Sequence, residues 1–546
     1  MGVRHPFVFM AGFLLLAALP AAAQQHDHPA GDPEKLGKVS FRVSCTPTAQ
    51  QQFNRAMAML HSFWYAKAEQ EFQGVAEKDP ACAMAYWGVA MSHYRLLWEF
   101  PSAADLQAGG AAIRKAGEFE AKTQRERDYI AALTAFYADS EKTDKDVRAR
   151  NYEQAMAALA ARYPDDLEAG MLYALTLLRY GLPPDKTLAR QKAAGAIAER
   201  TFRAQPDHPG AAHYVIHSYD YPPLAGQALD AARRYAKIAP DSPHALHMPS
   251  HIFTRMGYWD ESIQSNLASA AAAHTYNAGG DELHAMDYLM YAYLQTGQDR
   301  KAAALLAALP NLKAQDPAAF AGYFARAAMP VRYALERSAW AEAVRLETPP
   351  NIFPGGRYAW TEATFTFARG LGAARTGQLP AARAAAAQLE TAYRTLLENN
   401  ETYWAGQVDI QRGIVTAWLA HAEGKSDEAL KVLRAAAEAE DLAGKHPVTP
   451  GPVRPARELL GEMLLEVKRP TEALAEFETV LQGSPGRFHA LYGAGHAARL
   501  AGNNAAASDY YTKLVELCRE ADSSRAELTT ARSFLAKNPK AQALRK

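Results

Sequence analysis

A spacing of thirty-four residues constrains this chain more than any other feature. Ala56, Ala68, Phe72 and Pro80 stand at positions 8, 20, 24 and 32 of a unit that begins at Ala49. A second unit begins at Pro209, with Ala228 at position 20 and Pro240 at position 32. Small residues let two helices approach closely, and proline, with no N–H and a fixed φ, recurs where one helix gives way to the next. Between these marks run Ala-rich helical patterns joined by Gly, Pro, Asn or Asp, as in "EKDPACAMAYWG", "RAQPDHPGAAHY", "QTGQDRKAA" and "LAGNNAAASDYY". A helix pair of this size cannot bury its apolar face alone, so it must stack on its neighbours. The pattern predicts an all-α solenoid of antiparallel helix pairs, roughly ten of them.

These small, small, aromatic and proline positions resemble the tetratricopeptide repeat (TPR). The resemblance implies a right-handed superhelix whose concave groove is lined by positions 2, 5, 9 and 12 of each first helix, and which commonly receives a protein partner. The strings "CTPTAQQQFNRAMAMLHSFWYAKAEQEF", "HALHMPSHIFTRMGYWDESIQSN" and "KHPVTPGPVRPARELLGEMLLE" are similar to a family of exported bacterial TPR proteins with no settled activity.

The chain divides accordingly. Residues 1–23 carry Arg4, an apolar run and a small-residue stretch ending at Ala23, the layout of a secretory signal peptide. Residues 24–44 are polar and Pro/Gly-containing, so they read as a linker or extended arm. Helix pairs follow over 45–347 and 359–520, separated by a breaker-rich loop at 348–358, with a helical tail over 521–546. No later stretch reaches the length of a membrane helix, and 59 basic against 59 acidic residues leave no basic excess for nucleic acid. The expected location is periplasmic or secreted. There Cys45 and Cys82 can pair, with two buried thiols as the alternative, while Cys518 is expected to be a lone buried thiol.

Histidine is sparse, 17 in 546 residues, yet it clusters. His213 and His217 occupy positions 5 and 9 of the unit that begins at Pro209, and His247 and His251 follow 34 residues later at the same positions. The i,i+4 spacing sets each pair on one helix face. His244 joins them, and the next unit offers His284, Asp287 and Tyr291, each 40 residues beyond His244, His247 and His251. With Asp220 at position 12, these nine residues are expected to line the groove. His213, His217, His247, His251, His284 and Asp287 form the candidate metal set; Asp220, His244 and Tyr291 are the remaining groove residues.

Two readings follow. One is an exported scaffold that holds a protein or peptide in its groove. The other is a metal-binding or metal-dependent protein, since imidazole with carboxylate suits Zn, Cu, Fe or Ni, with divalent Zn or Cu foremost. No HExxH, nucleophile elbow, phosphate loop or GxGxxG-after-strand motif occurs, so catalysis has no motif of its own and no catalytic residue is named. The aromatic runs around Phe63 and Trp98 read as core, and the Pro-rich stretch around His446 as a connector feeding the next helix.

Overall fold

Helix follows helix from Pro47 to Lys537 in the computed structural model, which describes residues 35–538 apart from 96, 99, 180, 181, 183, 184 and 313–319; no strand occurs among the described residues. The expected signal peptide, most of the expected linker and the last residues of the tail lie outside them.

Each repeat is built as its small residues require. The helices Pro47–His61 and Tyr65–Lys78 pack through Ala56, Ala68 and Phe72, all fully buried. The next helix, Ala83–Ser92, crosses Phe72 at Gly88, where an added Cβ would sit 2.2 Å from the ring. The same device recurs around Phe477, against which Gly461 and Gly493 both press. Turns between paired helices use left-handed glycines, Gly257 and Gly297 both at φ +71°.

Gly257 also meets a distant turn, for a Cβ there would lie 2.5 Å from the Pro485 carbonyl oxygen. Gly257→Ala is therefore expected to destabilise the protein by more than the about 1–2 kcal/mol of left-handed strain alone. Gly377→Ala, at φ +76° with nothing within 4 Å, should show only that strain. Denaturant midpoints of the two variants test this; equal losses would remove the Pro485 contact from the account.

Residues 35–44 are a docked arm, not a linker. Phe41 is fully buried among Phe53, Trp87 and Tyr129, and Ser44 donates its backbone N–H to Glu126 at 2.6 Å. The structure joins Cys45 to Cys82 by a disulfide, pinning the arm's end to the start of the second pair. Cys518 is buried, and burial pushes its thiol up to about 12.

The loop at 348–358 contains a short 3-10 turn, Gly356–Tyr358, and does not divide the array. Helices Phe320–Leu335 and Trp360–Arg375 pack across it, and the chain from Lys35 onward is one compact unit. The tail helix Ala526–Lys537 buries Leu528 and Ala531 against its predecessor.

The expected open groove is where structure and sequence part. The late repeats fold back onto the central ones: Trp259 donates to the Gly486 carbonyl at 3.0 Å, and Arg487 to the Tyr291 hydroxyl at 2.8 Å. The Pro-rich segment at 444–455 enters the interior, with His446, Val448 and Arg454 each 1% exposed. Arg332 holds it by donating to the Pro452 carbonyl at 2.9 Å. The histidine face is thereby an interior surface.

Candidate metal centre

The helix Pro209–Tyr219 presents His213 and His217, one turn apart. The next first helix comes in two pieces, Pro243–His247 and Pro249–Met256, because Pro249 has no N–H for the turn before it. It presents His244, His247 and His251, and the helix Gly279–Gln295 adds His284. All six imidazoles are nearly or fully buried.

They form two triads, His213/His217/His244 and His247/His251/His284, within each of which one donor atom per residue lies within 4.8 Å of the others. Three ligands bound to one ion at about 2.0–2.1 Å stand about 3.3 Å apart in tetrahedral geometry. The His213 and His244 Nε2 atoms are 3.2 Å apart, and those of His247 and His251 are 3.0 Å apart.

Outer partners determine where the lone pairs point. His251 Nδ1 lies 2.8 Å from a carboxylate oxygen of Asp220, an acceptor, so Nδ1 carries the proton. His247 Nδ1 donates to Asn266 Oδ1 at 2.6 Å, and the Asn266 amide is oriented by its own donation to the Ser262 carbonyl at 2.7 Å. Both Nε2 atoms of the second triad therefore offer lone pairs, and they face each other. The Tyr288 hydroxyl, 3.2 Å from His251 Nε2, can serve one of them; His284 Nε2 has no hydrogen-bond partner. In the first triad His213 Nδ1 donates to the His61 carbonyl at 2.6 Å, which turns its Nε2 lone pair inward. His244 can answer it with an N–H, but His217 Nε2 has no partner.

Burial also keeps these rings neutral, the form that binds metal. It holds His213 down to about 3 and His247 to about 4, and drives His217, His244, His251 and His284 well below the ordinary histidine value. Outer hydrogen bonds of this kind orient metal ligands and raise their basicity.

A third group, His61, Glu168 and His208, satisfies itself. His208 Nδ1 accepts the Ala211 N–H, so its Nε2 donates to Glu168 at 3.0 Å; His61 Nε2 lies 2.8 Å from the other carboxylate oxygen, and His61 Nδ1 meets the Tyr214 hydroxyl at 3.0 Å. With every ring nitrogen engaged, this group buttresses the His61 carbonyl that aims His213.

Several expected roles change. Asp287, expected as a ligand, belongs to neither triad; its carboxylate faces Arg332 at 3.7 Å, and burial raises it to about 6. Tyr291, expected in the groove, accepts from Arg487. Asp220 is buried and outer: besides His251 it holds Arg255 at 2.9 Å and the Lys445 ammonium. His244, expected only to line the groove, stands within the first triad. Sequence reading missed Asn266 and Tyr288, although Tyr288 follows His284 at the i,i+4 spacing that flags the histidines. Phe63 and Trp98 belong to the core, as expected. Phe63 covers the first triad, with its centroid 4.3 Å from His213 and 5.6 Å from His244, and Trp98 lies 5.3 Å from His244.

The stretch around His446 caps this interior. His446 Nδ1 accepts the Val448 N–H at 3.2 Å and Nε2 donates to the Trp98 carbonyl at 3.0 Å; burial holds the ring down to about 3. Protonating Nδ1 breaks the Val448 bond. The unfolded imidazole titrates near 6.5, so between that value and about 3 the unfolded state binds the extra proton. Stability is thus full above pH 6.5 and declines as pH falls toward 3. Thermal unfolding followed from pH 7.5 to 4 should show a falling midpoint; a flat profile would contradict the buried neutral His446.

The fold defines the class as a TPR-like helical-repeat protein: antiparallel helix pairs with small residues at the crossings and left-handed glycines at the turns. No family model and no curated protein matches the chain. Among solved structures, the TPR domain of P58(IPK) aligns at 11% identity over 83% of this chain and 98% of that one, with a TM-score of 0.22. The structure of Naa15/Naa10 bound to HypK-THB aligns at 12% identity over 91% of this chain and 73% of that one, with a TM-score of 0.23. The class rests on this chain's own helices.

Proposed function

We propose that this is an exported protein that binds transition-metal ions in its interior through the triads His213/His217/His244 and His247/His251/His284. The observation that carries the reading is the pair of Nε2 lone pairs of His247 and His251, turned toward each other by Asn266 and Asp220 at 3.0 Å. A cation relieves that opposition, and His284 Nε2 supplies a third donor. The Cys45–Cys82 disulfide and the apolar run before Ala23 support an oxidising, extracytoplasmic location. Among the described residues no helix is long and apolar enough to cross a membrane.

The test is elemental analysis of protein purified without chelator or nickel resin, beside a variant with His213, His217, His247 and His251 changed to Ala and its helicity checked by circular dichroism. Stoichiometric Zn, Cu, Fe or Ni in the native protein, lost in the folded variant, supports the reading. Equal background metal in both would end it.

A scaffold role for a protein partner is the second reading, favoured by the length of the helical array. Because residues 444–455 close the histidine face, such a partner docks on outer helix faces or after that segment withdraws. A partner captured equally by the native protein and the four-histidine variant would separate this role from the metal.

A further inference from the structure

We propose that the two triads form a single dinuclear centre that is loaded with Cu(I), one ion per triad. This rests on the metal-binding reading above and names its ion.

The triads are contiguous. The rings of His217 and His251 are 5.9 Å apart and those of His244 and His247 6.0 Å apart, so no helix or apolar side chain separates them. Two ions held there share one buried compartment.

The charge of that compartment selects the ion. The six donors are neutral imidazoles, and neither triad includes a carboxylate oxygen. The nearby acids are already matched by cations: Asp220 by Arg255 and Lys445, and Asp287 by Arg332, while Asp281 stands 4.0 Å from His244 Nδ1 with its side chain 31% exposed. Asp220 and Asp287 together face three cations, so the acids beside the second triad leave no negative charge to neutralise an ion, and Glu168, behind the first, is engaged by His61 and His208. The cost of burying an ion in a low-dielectric interior grows as the square of its charge, so a dication is penalised about four times as heavily as a monovalent ion.

Coordination number points the same way. Zinc in closed sites takes four ligands. The first triad provides three, and the face above it is covered by Phe63, which has no donor atom and whose centroid lies 4.3–5.7 Å from all three rings. Imidazole accepts copper, and a closed set of three nitrogens falls one ligand short of what a structural zinc takes, so the first triad fits a three-coordinate monovalent ion, Cu(I).

The experiment uses the full chain, stripped of metal by chelation and titrated anaerobically with Cu(I) against a colorimetric Cu(I) chelator, then challenged with Zn(II). Two equivalents of Cu(I), bound more tightly than Zn(II) and with a copper X-ray absorption spectrum showing only nitrogen neighbours, are expected. His217→Gln and His284→Gln, which keep size and polarity, should each lower the count by one equivalent. One equivalent in the native protein, or Zn(II) bound as tightly as Cu(I), would overturn the proposal while leaving a metal centre. Failure of folded protein to bind any of Cu, Zn, Fe or Ni would overturn both.

Discussion

On the proposed metal-binding reading, stripping the metal is expected to lower stability by about 4 kcal/mol for a protein previously held at a free-ion concentration a thousandfold above Kd, because the ion would bind the folded state alone. The unfolded chain cannot bring together imidazoles from the helices Pro209–Tyr219, Pro243–His247, Pro249–Met256 and Gly279–Gln295. Metal binding is then coupled to folding. Calorimetry before and after chelation, and again after the ion is restored, reads the change. The loss should localise to amides of these helices in hydrogen exchange, since arrays of repeats can open region by region. A chelated protein shown to be metal-free, yet with unchanged midpoint and exchange, would show that nothing at the triads depends on an ion.

Breaking the Cys45–Cys82 disulfide is expected to have an effect of similar size. The cysteines are 37 residues apart, and the loop-closure entropy returned to the unfolded chain corresponds to about 4 kcal/mol. The loss should be regional. The arm at 35–44 is anchored by Phe41 and by Ser44 to Glu126, so it and the first two helix pairs should become protease-sensitive first. Cys45→Ser/Cys82→Ser, compared with the native protein with and without reductant, checks this. Identical proteolysis and midpoints in all three would mean that packing around Phe41 holds the region unaided.

Much of the architecture was legible because it follows from local rules. Ala56, Ala68 and Phe72 sit at helix crossings where only small residues or one filling ring fit, and Gly257 and Gly297 sit where the turn demands a left-handed residue. The i,i+4 histidine pairs were legible for the same reason, because a repeat carries one helix face into the next. Asp287 and Tyr291 were misread because register assigns a position, not a partner. Arg332 and Arg487 arrive from 45 and 196 residues away in sequence, and a buried guanidinium claims the nearest carboxylate or hydroxyl.

The amino-acid sequence by itself determined an all-α array of antiparallel pairs and the placing of His213, His217, His247 and His251 on a shared face, since helical periodicity and close-packing act over tens of residues. Tertiary structure alone decided that this face is closed. Folding the late repeats back onto the central ones brought residues 444–455, with Lys445, against Asp220, and turned an expected open groove into a buried interior. The same packing brought the His61 carbonyl, Asn266 and Asp220 onto Nδ1 of three histidines, which decides where each imidazole points its lone pair. Hydrogen bonds between residues 19 to 152 apart in sequence depend on how the chain curves back on itself, which no local spacing encodes.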